Sequence, residues 1–211
     1  MFNRVHSARV ARLALGSICA TVLATAAQAQ DRYLMEDGLV VIEIENHAPN
    51  GWTEAASPTG FTGEGFFRWD GPNLFNSPGT AVISYEILAP SAGNRRLSLR
   101  NRHDNPDPTE ENDTWVRMNG GPWIKLFSNL PGTVGNWNWD SRFDFGHSQP
   151  MPEASFDLVA GVNLLEFSAR SFGFMMDRVH IYDAGNPGGT CLLYTSPSPR
   201  DRTRSRMPSS A

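Results

Sequence analysis

Cysteine is almost absent from this chain: of 211 residues, only Cys19 and Cys191 are cysteines. Both fall in end segments that read as separate from the folded body. The body therefore has no disulfide, and its stability rests on a packed core or on a metal. Catalytic signatures are missing too. There is no HExxH, no GxSxG, no GxxxxGK[ST] and no GxGxxG opening a helix, so the motifs of zincins, α/β-hydrolases, P-loop enzymes and dinucleotide-binding enzymes are excluded. No stretch has a convincing helical period, and there are no internal repeats or heptads. The histidines of the body, His47, His103, His147 and His180, are scattered without ligand spacing and read as surface or turn residues.

One long apolar run exists, LALGSICATVLATAA, preceded by Arg4, Arg9 and Arg12. It is short and rich in small residues for a membrane span, and Ala27-Gln28-Ala29 follows as a small-x-small cleavage pattern. Residues 1–29 are expected to be a secretory signal peptide, with Gln30 the first mature residue. Ile18 before Cys19 argues against a lipid anchor. No membrane insertion is expected once the leader is removed. Such a leader on a body without disulfides suggests a bacterial protein, secreted or held in the periplasm or at the cell surface. At the other end, CLLYTSPSPRD (residues 191–201) resembles a translated transposon-type sequencing adaptor, and SRMPSSA (residues 205–211) resembles its flow-cell end. Residues 191–211 are therefore expected to be non-native, 184–190 a linker, and a further domain is expected downstream in the native protein. The leader carries three net positive charges and the tail three more, so the body's formal net charge is about −10 against −4 for the whole chain. An acidic body does not suit nucleic acid or an anionic membrane, and suits neutral ligands or cations.

The body is rich in short alternating apolar segments. LVVIEIE places Val40, Ile42 and Ile44 on one face and Glu43 and Glu45 on the other. TAVISYEIL aligns Ala81, Ile83, Tyr85 and Ile87; NRRLSLR aligns Leu97 and Leu99; VNLLEFSAR aligns Leu165, Phe167 and Ala169; DRVHIY aligns Asp177, Val179 and Ile181. Further strands are expected at GFFRW, TWVRM, WIKLF and SFDLV, with Trp115 in the core. Gly, Pro and Asn turns separate them. Residues 30–183 are thus expected to form one all-β domain, an antiparallel sandwich of about eight to ten strands ending near Tyr182.

Three constellations carry chemistry. The loop RHDNPDPTEENDTW (residues 102–115) holds Glu110, Glu111 and Asp113, which in principle offer paired carboxylates for glycoside hydrolysis, but adjacent carboxylates in a Pro/Asn-rich loop are usually just a solvated loop. Glu43 and Glu45 share a strand face, and Asp177 opens the last strand on the side of Val179 and Ile181, where a carboxylate needs a partner. First and last strands are often neighbours in a sandwich, so these three carboxylates can meet around calcium, with a carbonyl from TGFTGEGFF completing the shell. The alternative has the glutamates in water and Asp177 capping a turn. Trp137 and Trp139, two apart in GNWNWDSRF, offer rings on which sugars stack, unless they belong to the core.

Several segments, in order, resemble the family-6 and family-35 carbohydrate-binding modules: VVIEIENH, ISYEILAPSAGNRRLSLRNR, WVRMNGGPWIKL and FDLVAGVNLLEFSARSFGFMMDRVHIY, together spanning about residues 37–183. The resemblance implies a jelly-roll β-sandwich of the galactose-binding-like type. It implies a structural calcium held by Glu43, Glu45 and Asp177, and a stacking aromatic at Trp137 or Trp139. Where many members have Asn just before the last-strand Asp, this chain has Met175 and Met176. The 102–115 insertion then offers a different ligand surface, with Arg100, Arg102, Asp104 and Asn112 as candidates. The expected function is a secreted, non-catalytic module that binds polysaccharide or oligosaccharide. A structural or adhesive cell-surface sandwich without sugar is the alternative, and a glycan-active enzyme working through loop 102–115 the third.

Overall fold

In the computed structural model, residues 32–128, 130–146, 151–185 and 206–207 are described. The leader, most of the tail and His147 lie outside them. The strands run β1 (Arg32–Leu34), β2 (Leu39–Glu43), β3 (Thr53–Ala55), β4 (Phe66–Arg68), β5 (Ile83–Ala89), β6 (Gly93–Arg102), β7 (Asp113–Met118), β8 (Ile124–Phe127), β9 (Arg142–Asp144), β10 (Ser155–Leu158), β11 (Gly161–Ser168), β12 (Met175–Tyr182) and β13 (Arg206–Met207). Among the described residues the only helical element is a 3-10 turn, Ile44–Asn46.

The strands form the expected antiparallel sandwich. Sheet I has the order β13-β1-β5-β11-β7-β8-β9, and sheet II the order β10-β6-β12-β4-β3. One pairing, β1 with β5, is parallel. Alternation builds the core from both inner faces: Ile83, Tyr85, Ile87, Val116, Leu126, Leu165 and Phe167 from sheet I meet Leu97, Leu99, Val179 and Ile181 from sheet II. The Tyr85 hydroxyl, buried with its ring, donates to the Ile44 carbonyl at 2.9 Å. The β7–β8 hairpin turns through Asn119 (φ +53°) and Gly120 (φ +68°), the left-handed pair that Asn-Gly sequences supply.

Several expectations need correction. Val116 and Met118 take the inward positions of β7, so Trp115 lies on the outer side, where its indole N–H donates to the Leu74 carbonyl at 3.0 Å. His103 and His180 are buried rather than superficial. The short strands β1, β3 and β9 carry too few residues to show a period. The chain turns at Ile44–Asn46, so Glu45 sits in a 3-10 turn rather than on a strand. Of the tail, Arg206–Met207 are described, and they pair antiparallel with Arg32–Tyr33 of β1, where no partner was expected.

The arrangement around β12 positions everything that follows. β6 runs along one side of β12 for its whole length. On the other side β2 pairs only with Arg178–Tyr182, and β4 only with Met175–Met176. Asp177 falls in the gap between them. A register shift between Met176 and Arg178 leaves it out of the ladder with β6, an extra residue of the bulge type that re-aims a side chain.

Candidate functional site

That bulge is how the three carboxylates meet. By strict alternation Asp177 would point into the core with Val179 and Ile181. Instead it turns to Thr62, whose amide donates to both its oxygens (3.1 and 3.0 Å), and to Arg100, which pairs with it. Ligand atoms of Glu43, Glu45 and Asp177 lie within 4.8 Å of one another. Arg178, one residue after the bulge, donates to both oxygens of Glu43. Two guanidiniums thus face three carboxylates. The remaining one, Glu45, accepts from the Glu64 amide at 2.8 Å through Oε1, while its buried Oε2 has no partner. Burial pushes the Glu45 carboxyl up to about 7 and Asp177 up to about 6, the latter despite Arg100. Gly63, at φ +67°, packs its backbone against the Glu45 carboxylate so closely that any Cβ would overlap it. These are hard oxygens, one of them unpartnered, in a cradle kept open by a glycine. The donor set suits an oxygen-seeking cation such as calcium.

The second constellation adjoins the first. β10 covers only the first half of the free edge of β6. Beyond it the β8–β9 connection completes that edge: the Leu99 amide donates to Ser141 Oγ at 2.8 Å, and Asn101 and Asn138 exchange backbone bonds at 2.9 Å each. The buried Asn101 side chain ties the segment down, donating to the Leu99 and Asp140 carbonyls at 2.9 and 3.0 Å. From this edge the two tryptophans reach back over the outer face of sheet II. Trp137 packs edge-on against Phe66 with ring centroids 5.0 Å apart, lies under the Arg100 guanidinium, and donates its N–H to the Thr59 carbonyl at 3.1 Å. Trp139 packs on His180, centroids 4.5 Å apart. Both rings are half-buried. His180 has no hydrogen-bond partner at either nitrogen, and burial with the neighbouring Arg178 lowers it to about 3.

A groove of about 780 Å³ opens between this segment and the sheet, lined by Arg96, Ser98, Arg100, Trp137, Trp139 and Tyr182. Polar β-strand side chains form its floor and indole rings its wall. Arg100 and Thr62 belong to both groove and carboxylate cluster, so the two share side chains rather than merely lying close.

The remaining sequence candidates are dispersed. Arg102 donates to Asp104 at 2.7 Å on the end of sheet II, as Arg68 does to Asp70 on the strand beyond; the buried Met175 lies opposite both arginines. Asn112 is buried elsewhere, its amide donating to the Pro108 and Ser128 carbonyls. Asp113 of the acidic loop is held by Arg170 and Ser171. Sequence reasoning missed Arg178, Thr62, Asn101 and His180. Only the outward alternation of Arg178 and His180 hinted at a shared face.

No family model and no curated protein matches the chain. Among solved structures it resembles the GH26-CBM35 β-(1,4)-mannanase of Podospora anserina, with a TM-score of 0.52 and 19% identity. The likeness is one of fold: a two-sheet β-sandwich. It covers 72% of this chain and 29% of the mannanase, so the chain spans less than a third of that protein. A family 35 carbohydrate binding module from Clostridium thermocellum (TM-score 0.48, 18% identity, 69% of this chain and 98% of that one) and the CBM35 from Cellvibrio japonicus Abf62 (0.47, 20%, 69% and 93%) are also similar.

Proposed function

We propose that residues 30–183 form a non-catalytic carbohydrate-binding module, exported by a bacterium and joined in the native protein to a further domain. The observation that carries this reading is the groove on sheet II. Its indole rings offer stacking surfaces for the C–H faces of a sugar, and its Ser and Arg side chains offer hydrogen bonds to hydroxyls, the usual division of labour in a saccharide site. Open at the surface, it suits a stretch of polysaccharide or oligosaccharide. Calcium, held by Glu43, Glu45 and Asp177, would supply positive charge where a carboxylate oxygen is otherwise buried without a partner. Arg100 orients the Trp137 ring from one side and holds Asp177 on the other, so loading of the cluster is felt in the groove. Arg102, Asp104 and Asn112 are not part of this groove in the proposal.

The test is affinity electrophoresis of the full chain in gels containing plant, algal or bacterial polysaccharides, with calcium and with chelator. Retardation by at least one polymer is expected, reduced tenfold or more by Trp139→Ala. A folded protein that no polymer retards refutes the proposal and favours the structural or adhesive sandwich, for which the two buried methionines before Asp177 already speak.

A further inference from the structure

The carboxylate cluster and its two arginines do not balance. Glu43, Glu45 and Asp177 carry three negative charges when ionised, as cation ligands must be, and Arg100 and Arg178 carry two positive ones. A divalent cation added to all five leaves one positive charge in excess, beside a wholly buried Asp177. Buried charge without a counter-charge is costly. Withdrawing one guanidinium as the cation arrives brings the sum to zero.

The two arginines differ in what holds them. Arg178 lies within β12, opposite Glu43 of β2 on one side and Arg100 of β6 on the other. Its side chain is 2% exposed and is spent on both oxygens of Glu43. Arg100 is held less closely. Its side chain is 16% exposed and already lines the groove. One of its nitrogens reaches Asp177 Oδ2, and another donates to the Gly60 carbonyl at 2.8 Å. Asp177 does not depend on it for its orientation. Thr62 donates to that carboxylate from its amide, at 3.1 and 3.0 Å, and from its hydroxyl, at 2.9 Å.

We propose that Arg100 is the exchangeable counter-ion of the cluster and Arg178 the fixed one. Arg100 gives up Asp177 Oδ2 to a divalent cation and turns its freed donors to the groove. One short segment carries the change. The Thr59 and Gly60 carbonyls hold the Trp137 N–H and Arg100, while Thr62 and the Glu64 amide hold Asp177 and Glu45. A guanidinium only donates, so Arg100, once released, adds hydrogen bonds for saccharide hydroxyls. Cation and saccharide then favour each other's binding, by the same factor in both directions. The exchange rests on the cluster alone; its consequence for the groove rests on the carbohydrate-binding reading.

The experiment is a calcium titration of the isotope-labelled full chain, followed by NMR at the side-chain N–H signals of both arginines and of Trp137. Arg100 and Trp137 should shift saturably, while Arg178, whose Nε donates to Glu43 at 2.9 Å, holds still. Arg100→Met should bind calcium roughly tenfold more tightly, because the ion no longer displaces a charged hydrogen bond. In polysaccharide gels calcium should raise the affinity of the wild type about fivefold or more, and Arg100→Met should lose that dependence. Calcium binding that leaves Arg100 unmoved, or that moves Arg178 instead, overturns the exchange and leaves the carbohydrate reading intact. Weaker calcium binding by a folded Arg100→Met does the same, as does a wild type that binds no calcium. Retardation indifferent to calcium overturns the coupling. The expected arginine shifts, with no retardation on any gel, overturn the carbohydrate reading and uphold the exchange.

Discussion

His180 makes a sharp test of how the Trp139 segment is seated. The ring is buried beneath Trp139, neither nitrogen has a partner, and Arg178 adds a like charge nearby, so its pKa falls from 6.5 to about 3. The sign follows directly. Above pH 6.5 the ring is neutral folded or unfolded and the linkage is silent. Below it the unfolded chain takes up a proton that the folded chain refuses, so stability falls with pH until the folded pKa is reached. At 1.36 kcal/mol per unit, lowering the pH from about 7 to about 5 costs roughly 2 kcal/mol from this residue alone. Glu45 and Asp177, with raised pKa values, act in the opposite sense: the folded chain holds their protons more tightly, so they add stability as the pH falls through about 7 and about 6. A bare pH scan therefore mixes the two, and a variant is needed to separate them. His180→Phe keeps an aromatic ring under Trp139 and removes the titration. Urea unfolding followed by tryptophan fluorescence, at both pH values and in both proteins, yields the difference. The variant should gain about 2 kcal/mol on the wild type between pH 7 and pH 5. Equal pH responses would mean that His180 is reached by water or finds a partner, and that Trp139 does not seal it.

Gly63→Ala should destabilise the fold by about 1–3 kcal/mol, because it forces both a left-handed Cβ and a contact with the Glu45 carboxylate. Thermal melts with and without calcium should show that the variant also loses any stabilisation by the ion, whereas Gly132→Ala, with open space around it, should keep that response. Asn101→Ala removes the side chain that ties Leu99 to Asp140, for an expected loss of about 1–3 kcal/mol. Limited proteolysis should then cut first within residues 130–141, and unaltered resistance there would contradict the anchoring role.

Much of the sandwich is written locally. Alternation alone places Ile83, Tyr85 and Ile87, Leu97 and Leu99, and Leu165 and Phe167 on inner faces, since side chains on a strand point to opposite sides in turn and only one side of each sheet is buried. Turn chemistry such as Asn119-Gly120 marks where the strands end. The residues of the carboxylate cluster were legible as well, because two lie on one short segment and the third is an acid at a position of core period. What decided their meeting was not local. A bulge at Asp177, in the gap that β2 and β4 leave along β12, reverses the direction that period assigns to it. The two tryptophans were visible by spacing; that they reach back over sheet II depends on Asn101 and Ser141 pairing the β8–β9 connection with β6, bonds between residues about forty positions apart. The dispersal of Arg102, Asp104 and Asn112 has the same origin, since a loop that joins two sheets sends its ends to opposite faces. Periodicity reports which side of its own strand a residue occupies; which strand lies beside it is a property of the assembled sheets alone.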